Sequence, residues 1–219
     1  LFMAIRPVFI ESSKPPYFKM VNIEFKWNGG FAKCQSQKNI NAIHTAFLSN
    51  HPDCGILEIS SKSTKEIGTK LSAFSLLKYV PSIDKSIPVE CIYQGSKVFS
   101  NGGPYTDLYL KSPKEAKTDG RLKSSGELIG FHFESIDYPL GNNFTFYDYI
   151  YISALNENPI LAGEIIKYSA FTDIIFTPQK SINCQAKSAA IFKSLYNNDL
   201  LDTASDFVKI SSLCESKIF

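Results

Sequence analysis

The sequence predicts a mainly α protein with a few short β-strands, an α+β fold, and three observations carry that expectation. Strand-like alternation is concentrated near the N-terminus, where Val21, Ile23, Phe25 and Trp27 alternate with polar neighbours. From Ser61 onward the apolar residues recur mainly at helical spacing, most clearly as Ala186, Ala189, Ala190, Ile191 and Leu195. No internal repeat, low-complexity tract or long linker divides the 219 residues.

Taken in order, Met3 to Pro16 reads as an extended lead-in punctuated by proline, and Met20 to Trp27 as the first strand. Asn28-Gly29-Gly30 turns the chain into a helix from about Ser36 to Leu48, with Ile40, Ile43, His44 and Phe47 on one face. His44 on that apolar face is expected to be a core histidine. His51-Pro52-Asp53 ends the helix, and Gly55 to Ser60 reads as a second short strand. Pro88 or Val89 to about Ser100 is expected as one helix, with proline in the first turn and Asn101-Gly102-Gly103-Pro104 ending it. Short helical pieces follow at 113–119 and 122–126. Longer helices are expected at 144–156, 159–168 and 181–196, and the tail from Asp199 carries a weaker helical pattern.

A chain of 24.5 kDa with 44% hydrophobic and 20% charged residues buries a real core, which excludes a disordered protein. A net charge of +2 neither requires nor excludes a nucleic-acid partner, since a local basic patch can sit on a near-neutral surface. Lys111, Lys114, Lys117, Arg121 and Lys123 are concentrated enough to form one, although a solvated helical surface is the default for them. The five cysteines are scattered, form no C-x-x-C pair, and only Cys54 has a histidine (His51) close in sequence, so neither a disulfide framework nor a zinc site is expected. Nothing points to a metal or redox cofactor, so none is expected. No apolar run reaches the roughly 20 residues a membrane helix needs. No signal-peptide pattern opens the sequence, and a reducing cytoplasm is the expected location.

Candidate chemistry centres on E90-C-I-Y-Q-G-S-K97. Glu90, Tyr93, Gln94 and Lys97 are spaced i, i+3, i+4 and i+7, so one helix would align all four. A carboxylate, a phenol, an amide and an amine on one stripe can hold a polar ligand and move protons. On spacing alone a solvated face with a favourable charge pair remains the default. Lys62, directly after the second strand, can project into a cleft and act as a nucleophile if its charge is suppressed, although a surface lysine is the simpler reading. The loop around L71-S-A-F74 offers the Ser72 hydroxyl and the Phe74 ring. Asp173 lies in an apolar setting and is also readable as a turn residue. Asn183 and Gln185 open the last strong helix, where free N–H groups favour an anion and where Asn183 would serve equally as an N-cap.

In this order the segments resemble the NADAR superfamily, whose members share a YbiA-like helical fold. L71-S-A-F74 stands where the family has a Leu-Ser-Asn-Phe-like loop, with Ala73 in place of the usual Asn. E90-C-I-Y-Q-G-S-K97 matches all four key positions of the Glu-x-x-Tyr-Gln-x-x-Lys motif. F171-T-D173 and K180-S-I-N-C-Q-A186 resemble the closing motif without its Trp-Gly and Gly-Lys-Asn forms. The resemblance covers roughly Leu57 to Leu195. Residues 1–56 are thus expected as a family-specific strand–helix–strand addition packed on a domain of residues 57–219, in one compact unit. That addition, with V21-N-I-E-F-K-W27, is similar to the branch found beside DarT-type DNA ADP-ribosyltransferase toxins.

The resemblance implies an antitoxin that hydrolyses the bond between ADP-ribose and guanine in single-stranded DNA. It implies Glu90 and a lysine as catalytic groups, with Lys62 first by position and Lys38 and Lys97 as competitors. Ser72, Phe74, Tyr93, Gln94, Lys97, Asp173, Asn183 and Gln185 would then bind substrate. Two rival expectations remain: an N-glycosidase acting on a phosphoribosyl small molecule, and a non-catalytic protein that binds ADP-ribose or blocks a toxin.

Overall fold

The computed structural model describes residues 2–30, 32–178 and 183–215. The lead-in forms a full strand, β1 (Met3–Glu11), which pairs antiparallel with β2 (Phe18–Lys26) along its whole length. Pro7 is tolerated because β1 meets its other neighbour only at Phe9 and Ile10, leaving that side of the strand open at Pro7. Helix α1 (Lys33–Leu48) starts three residues earlier than expected. Its Ile40, Ile43 and Phe47 pack against Val8, Ile23 and Phe25 of the two strands. Asn39 ties the preceding turn to the helix, with Oδ1 accepting from the Asn28 amide at 2.7 Å.

The next strand, β3 (Ile56–Glu58), lies parallel to β9 (Ala170–Thr172), and β9 also pairs antiparallel with β1. The sheet therefore runs β2-β1-β9-β3 and crosses the 56/57 boundary. One face is covered by α1. The other, through residues such as Phe9, Leu57 and Phe171, joins a larger core with helix α8 (Gln185–Asn197). Residues 1–56 thus share a sheet with the rest of the chain and supply one of its layers.

Between Ser61 and Tyr138 the structure holds more strand than the helical pattern predicts. Helix α2 (Glu66–Lys70) leads to a hairpin of β4 (Leu77–Val80) and β5 (Lys85–Pro88). Helix α3 (Val89–Gly95) follows at once and ends five residues before the predicted terminus. The chain then becomes β6 (Lys97–Phe99), which pairs with β7 (Leu128–Phe133) and through it β8 (Ile136–Tyr138). Gly95 is the breaking point. A Cβ there would stand 2.5 Å from the Tyr109 ring and 3.0 Å from the Tyr105 carbonyl, and Gly95 O accepts from Tyr105 N instead of a helical amide. Lys97 therefore does not share a helix with Glu90.

Helices α4 (Pro113–Thr118) and α5 (Arg121–Ser124) are the two short pieces expected from sequence. Ser112 and Glu115 form a capping box on α4, and Thr145 and Asp148 form one on α6 (Phe146–Asn156). Helix α7 (Pro159–Ile165) has proline in its first turn, and α9 (Phe207–Glu215) ends the described chain. The last strong helix begins at Gln185 behind Cys184, so Asn183 is not its N-cap. The predicted start at Ser181 falls outside the described residues. No helix among the described residues is long and apolar enough to cross a membrane.

Candidate active site

Helix α3 is buried along its whole length, which removes the solvated-face reading of its polar residues. Glu90 is 4% exposed and Gln94 6%. Desolvated polar groups are retained only where partners satisfy them, and here they satisfy one another. Gln94 Nε2 donates to Glu90 Oε1 at 2.8 Å, and Lys97 Nζ donates to Gln94 Oε1 at 2.7 Å. The amide thus links carboxylate to amine even though a strand, not the helix, presents the amine. Lys97 Nζ also stands 4.6 Å from the centre of the Tyr93 ring. Burial is the main force on Lys97 and pulls its pKa down to about 8; nearby Lys117 adds to this, while Glu90 opposes it.

These residues line a cavity of about 880 Å³ that brings together segments distant in sequence. Its wall includes Ser72, Phe74, Glu90, Tyr93, Gln94, Lys97, Asp173, Asn183 and Gln185, nine of the ten residues expected from sequence. The L71-S-A-F74 loop abuts α3 because Glu90 N donates to Ala73 O at 2.9 Å. Ser72 Oγ is turned back to Thr69 O, at 2.8 Å. Phe74 stands at the mouth, 37% exposed, with the Lys117 ammonium 5.3 Å above its ring. The same ammonium lies 3.4 Å from Glu90 Oε1.

On the opposite wall, Asn183 Nδ2 donates to Tyr93 Oη at 2.6 Å, and Asn183 Oδ1 lies 2.9 Å from Thr145 Oγ1. Burial, with Glu90 close by, pushes the Tyr93 phenol up, so it stays neutral across the working pH range. Gln185 acts as a strut: its Oε1 accepts from Ala73 N at 2.8 Å and its Nε2 donates to Asp173 Oδ2 at 2.9 Å. Asp173 Oδ1 accepts from the amides of Ile175 and Phe176. Burial, followed by the charge of Glu58, raises Asp173 to about 7.

Lys62 does not line the cavity; it follows Ser61, which does, and its backbone N–H is held by Ser60 Oγ at 3.1 Å. Lys38 is exposed on α1, in the outer layer. Lys97 is thus the one of the three lysines in the described wall. Tyr147 was not expected there: it meets Tyr93 edge-on at 5.1 Å, but nothing in the aromatic run 144–151 distinguishes it from its neighbours. Lys180, Ser181 and Ile182 of the closing motif lie outside the described residues. Among the described residues no group of His, Cys, Asp and Glu is arranged to hold a metal ion.

A buried carboxylate and a desolvated amine, walled by aromatic rings and amides on an α+β frame, line one cavity with the groups to hold a polar ligand. A family model for DarT1-associated NADAR antitoxins matches residues 4–217, and the chain belongs to that family. Comparison with individually curated proteins gives no match.

Proposed function

We propose that this chain is an N-glycosyl hydrolase that releases ADP-ribose from guanine in DNA and so reverses the modification made by a DarT-type toxin. Membership of the antitoxin family supports the toxin–antitoxin setting. The observation that carries the chemistry is the Glu90–Gln94–Lys97 chain inside one cavity. In this reading the nucleophile is Lys97 rather than Lys62, because its amine faces the cavity and is largely desolvated. An amine with a pKa of about 8 is neutral often enough near pH 7 to attack, whereas an ordinary lysine is not.

The neutral Lys97 amine attacks the anomeric carbon of the ribose. A carbon–nitrogen bond to lysine forms and the bond to guanine breaks, while the proton that the newly alkylated lysine nitrogen sheds passes by way of Glu90 to the departing guanine nitrogen. Opening of the sugar ring converts the adduct to a Schiff base, the ring oxygen gaining the proton the nitrogen loses. Water then adds to the imine carbon with Glu90 as the proton carrier, and ADP-ribose and free Lys97 result. Gln94 holds acid and amine in register. Lys117 can exchange its ion pair with Glu90 for a substrate phosphate, which frees Glu90 as binding occurs.

The open, aromatic-edged mouth at Phe74 favours a nucleic-acid substrate over a small metabolite. Lys117 lines that mouth, and Lys111 and Lys114 are exposed beside and on the same helix, α4. Arg121 contributes less, since Asp107 and Asp119 engage its guanidinium. The test is incubation with guanine-ADP-ribosylated single-stranded DNA, scored for released ADP-ribose. Glu90→Gln is expected to lower the rate on the order of 10²–10⁴-fold. Absence of release by the unaltered protein, with retained ADP-ribose binding, would establish a non-catalytic binder instead.

A further inference from the structure

Glu58 takes no part in the chemistry above, yet it is a buried carboxylate with three hydrogen-bond donors directly behind the cavity wall. It ends β3 and is 1% exposed. Ser60 Oγ and Thr172 Oγ1 each donate to it at 2.6 Å, and Ile174 N donates at 2.9 Å. A carboxylate buried this deeply is disfavoured in its charged form unless such donors surround it. The Thr172 hydroxyl is in turn 2.9 Å from His44 Nε2 on α1. Burial, then Lys65, lowers His44 to about 4, so the ring is neutral; with its proton on Nε2 it donates to Thr172, whose own proton points at Glu58.

Two stretches of cavity wall hang from this one side chain. Ser60, besides donating to Glu58, accepts from Lys62 N, and the turn so formed presents Ser61 to the cavity. Thr172 and Ile174 flank Asp173, and the successive amides of residues 174, 175 and 176 are divided between Glu58 and Asp173. The two carboxylates therefore share a single turn of backbone.

We propose that Glu58 is a positioning residue that fixes Ser61 and Asp173 in the cavity wall and, through the backbone turn it shares with Asp173, biases which of the two carboxyls carries the charge. Two adjacent buried carboxylates do not both ionise readily. Burial pushes both carboxyls upward, but Glu58 has the shorter, hydroxyl-based set of donors and so favours the charge, whereas Asp173 has only amide donors and favours the proton. The other titratable groups facing Asp173 are Tyr147 and Tyr151 of α6 and Cys184 before α8, all pushed upward by burial and hence neutral. Glu90 of α3 also acts on Tyr147. A neutral Asp173 leaves Lys97 and Lys117 opposed by Glu90 alone among the ionisable groups of the described wall, which suits an anionic, diphosphate-bearing ligand. The diphosphate ligand, and any dependence of its release on Asp173, rest on the proposed hydrolase reading; the placement of Glu58 behind Asp173 does not.

The test follows the Asp173 carboxyl carbon by NMR through a pH titration of the full chain, with the signal assigned by Asp173→Asn. The unaltered protein should titrate near pH 7, and Glu58→Gln should lower that midpoint by about one unit or more. Thr172→Val, a gentler change, should shift it the same way by less, because an under-solvated Glu58 takes up the shared proton more readily. An unchanged midpoint in the folded variants, or a normal midpoint in the unaltered protein, overturns the proposal. If Glu58→Gln does not fold, Thr172→Val alone decides. In parallel, the pH profile of ADP-ribose release should move with the NMR midpoint. A moved midpoint with no release at any pH would uphold Glu58 and sink the hydrolase reading.

Discussion

Lys97 and Asp173 depart from their ordinary pKa values in opposite senses of charge, because burial disfavours the ionised form of each. If the Lys97 amine must be neutral and Asp173 must keep its proton, the rate of ADP-ribose release rises toward pH 8 through lysine and falls above about 7 through aspartate. The expected profile is a bell centred between 7 and 8, and a plain sigmoid would remove one of the two roles. Lys97→Met should abolish release while leaving thermal stability unchanged or improved, since a methylene chain replaces an ammonium that burial penalises. A lost fold in that variant would contradict the assignment. Asp173 also makes a stability prediction. Its folded pKa is raised, so its contribution is full below the ordinary aspartate value and is lost as pH rises through about 7. Asp173 therefore pulls the melting temperature down between pH 4 and pH 8, against the rise that neutral, buried His44 contributes between about 4 and its ordinary value, and Asp173→Asn should remove the downward part.

At the scale of elements, α3 and its abrupt end decide the site. Gly95 is required there by close approach: any Cβ meets the Tyr109 ring, which is itself pinned by a 2.8 Å hydrogen bond to Ser96. Gly95→Ala gains helix propensity worth about 1 kcal/mol but overpacks this contact, which typically costs about 1–3 kcal/mol. A lower urea midpoint is expected, together with slower ADP-ribose release, because Gln94 and Lys97 sit on either side of the break. An Ala variant as stable and active as the original would show that Tyr109 yields freely. The α3 motif was legible in the sequence as a set of residues but not as a geometry. Helical spacing grouped Glu90, Tyr93, Gln94 and Lys97 correctly, although the last belongs to a strand. The pairing that makes it one is with β7, some thirty residues downstream, and local periodicity carries no trace of it.

For the whole molecule, the boundary at residue 56 marks a resemblance and not a physical division. Strand β1 pairs with β9, β9 carries the segment leading to Asp173, and His44 of α1 reaches Thr172. Trp27, the sole tryptophan, packs beside the α1 layer, whereas most of the helical signal comes from the other side of the sheet. Unfolding in urea followed by tryptophan fluorescence and by far-ultraviolet circular dichroism should therefore give coincident transitions. An earlier fluorescence transition would mean that the N-terminal layer unfolds by itself.

The sequence by itself determined the α+β class, most helix positions, the family, and nine residues that meet in one cavity. Those properties are local: amphipathic period, turn chemistry and motif spacing are written in neighbouring residues. Tertiary structure alone decided which lysine faces the cavity, that α3 is buried rather than solvated, and that Glu58 stands behind Asp173. Each of these depends on contacts between residues far apart in the chain, where burial sets the charge states, and no short-range pattern encodes how deeply a side chain is buried.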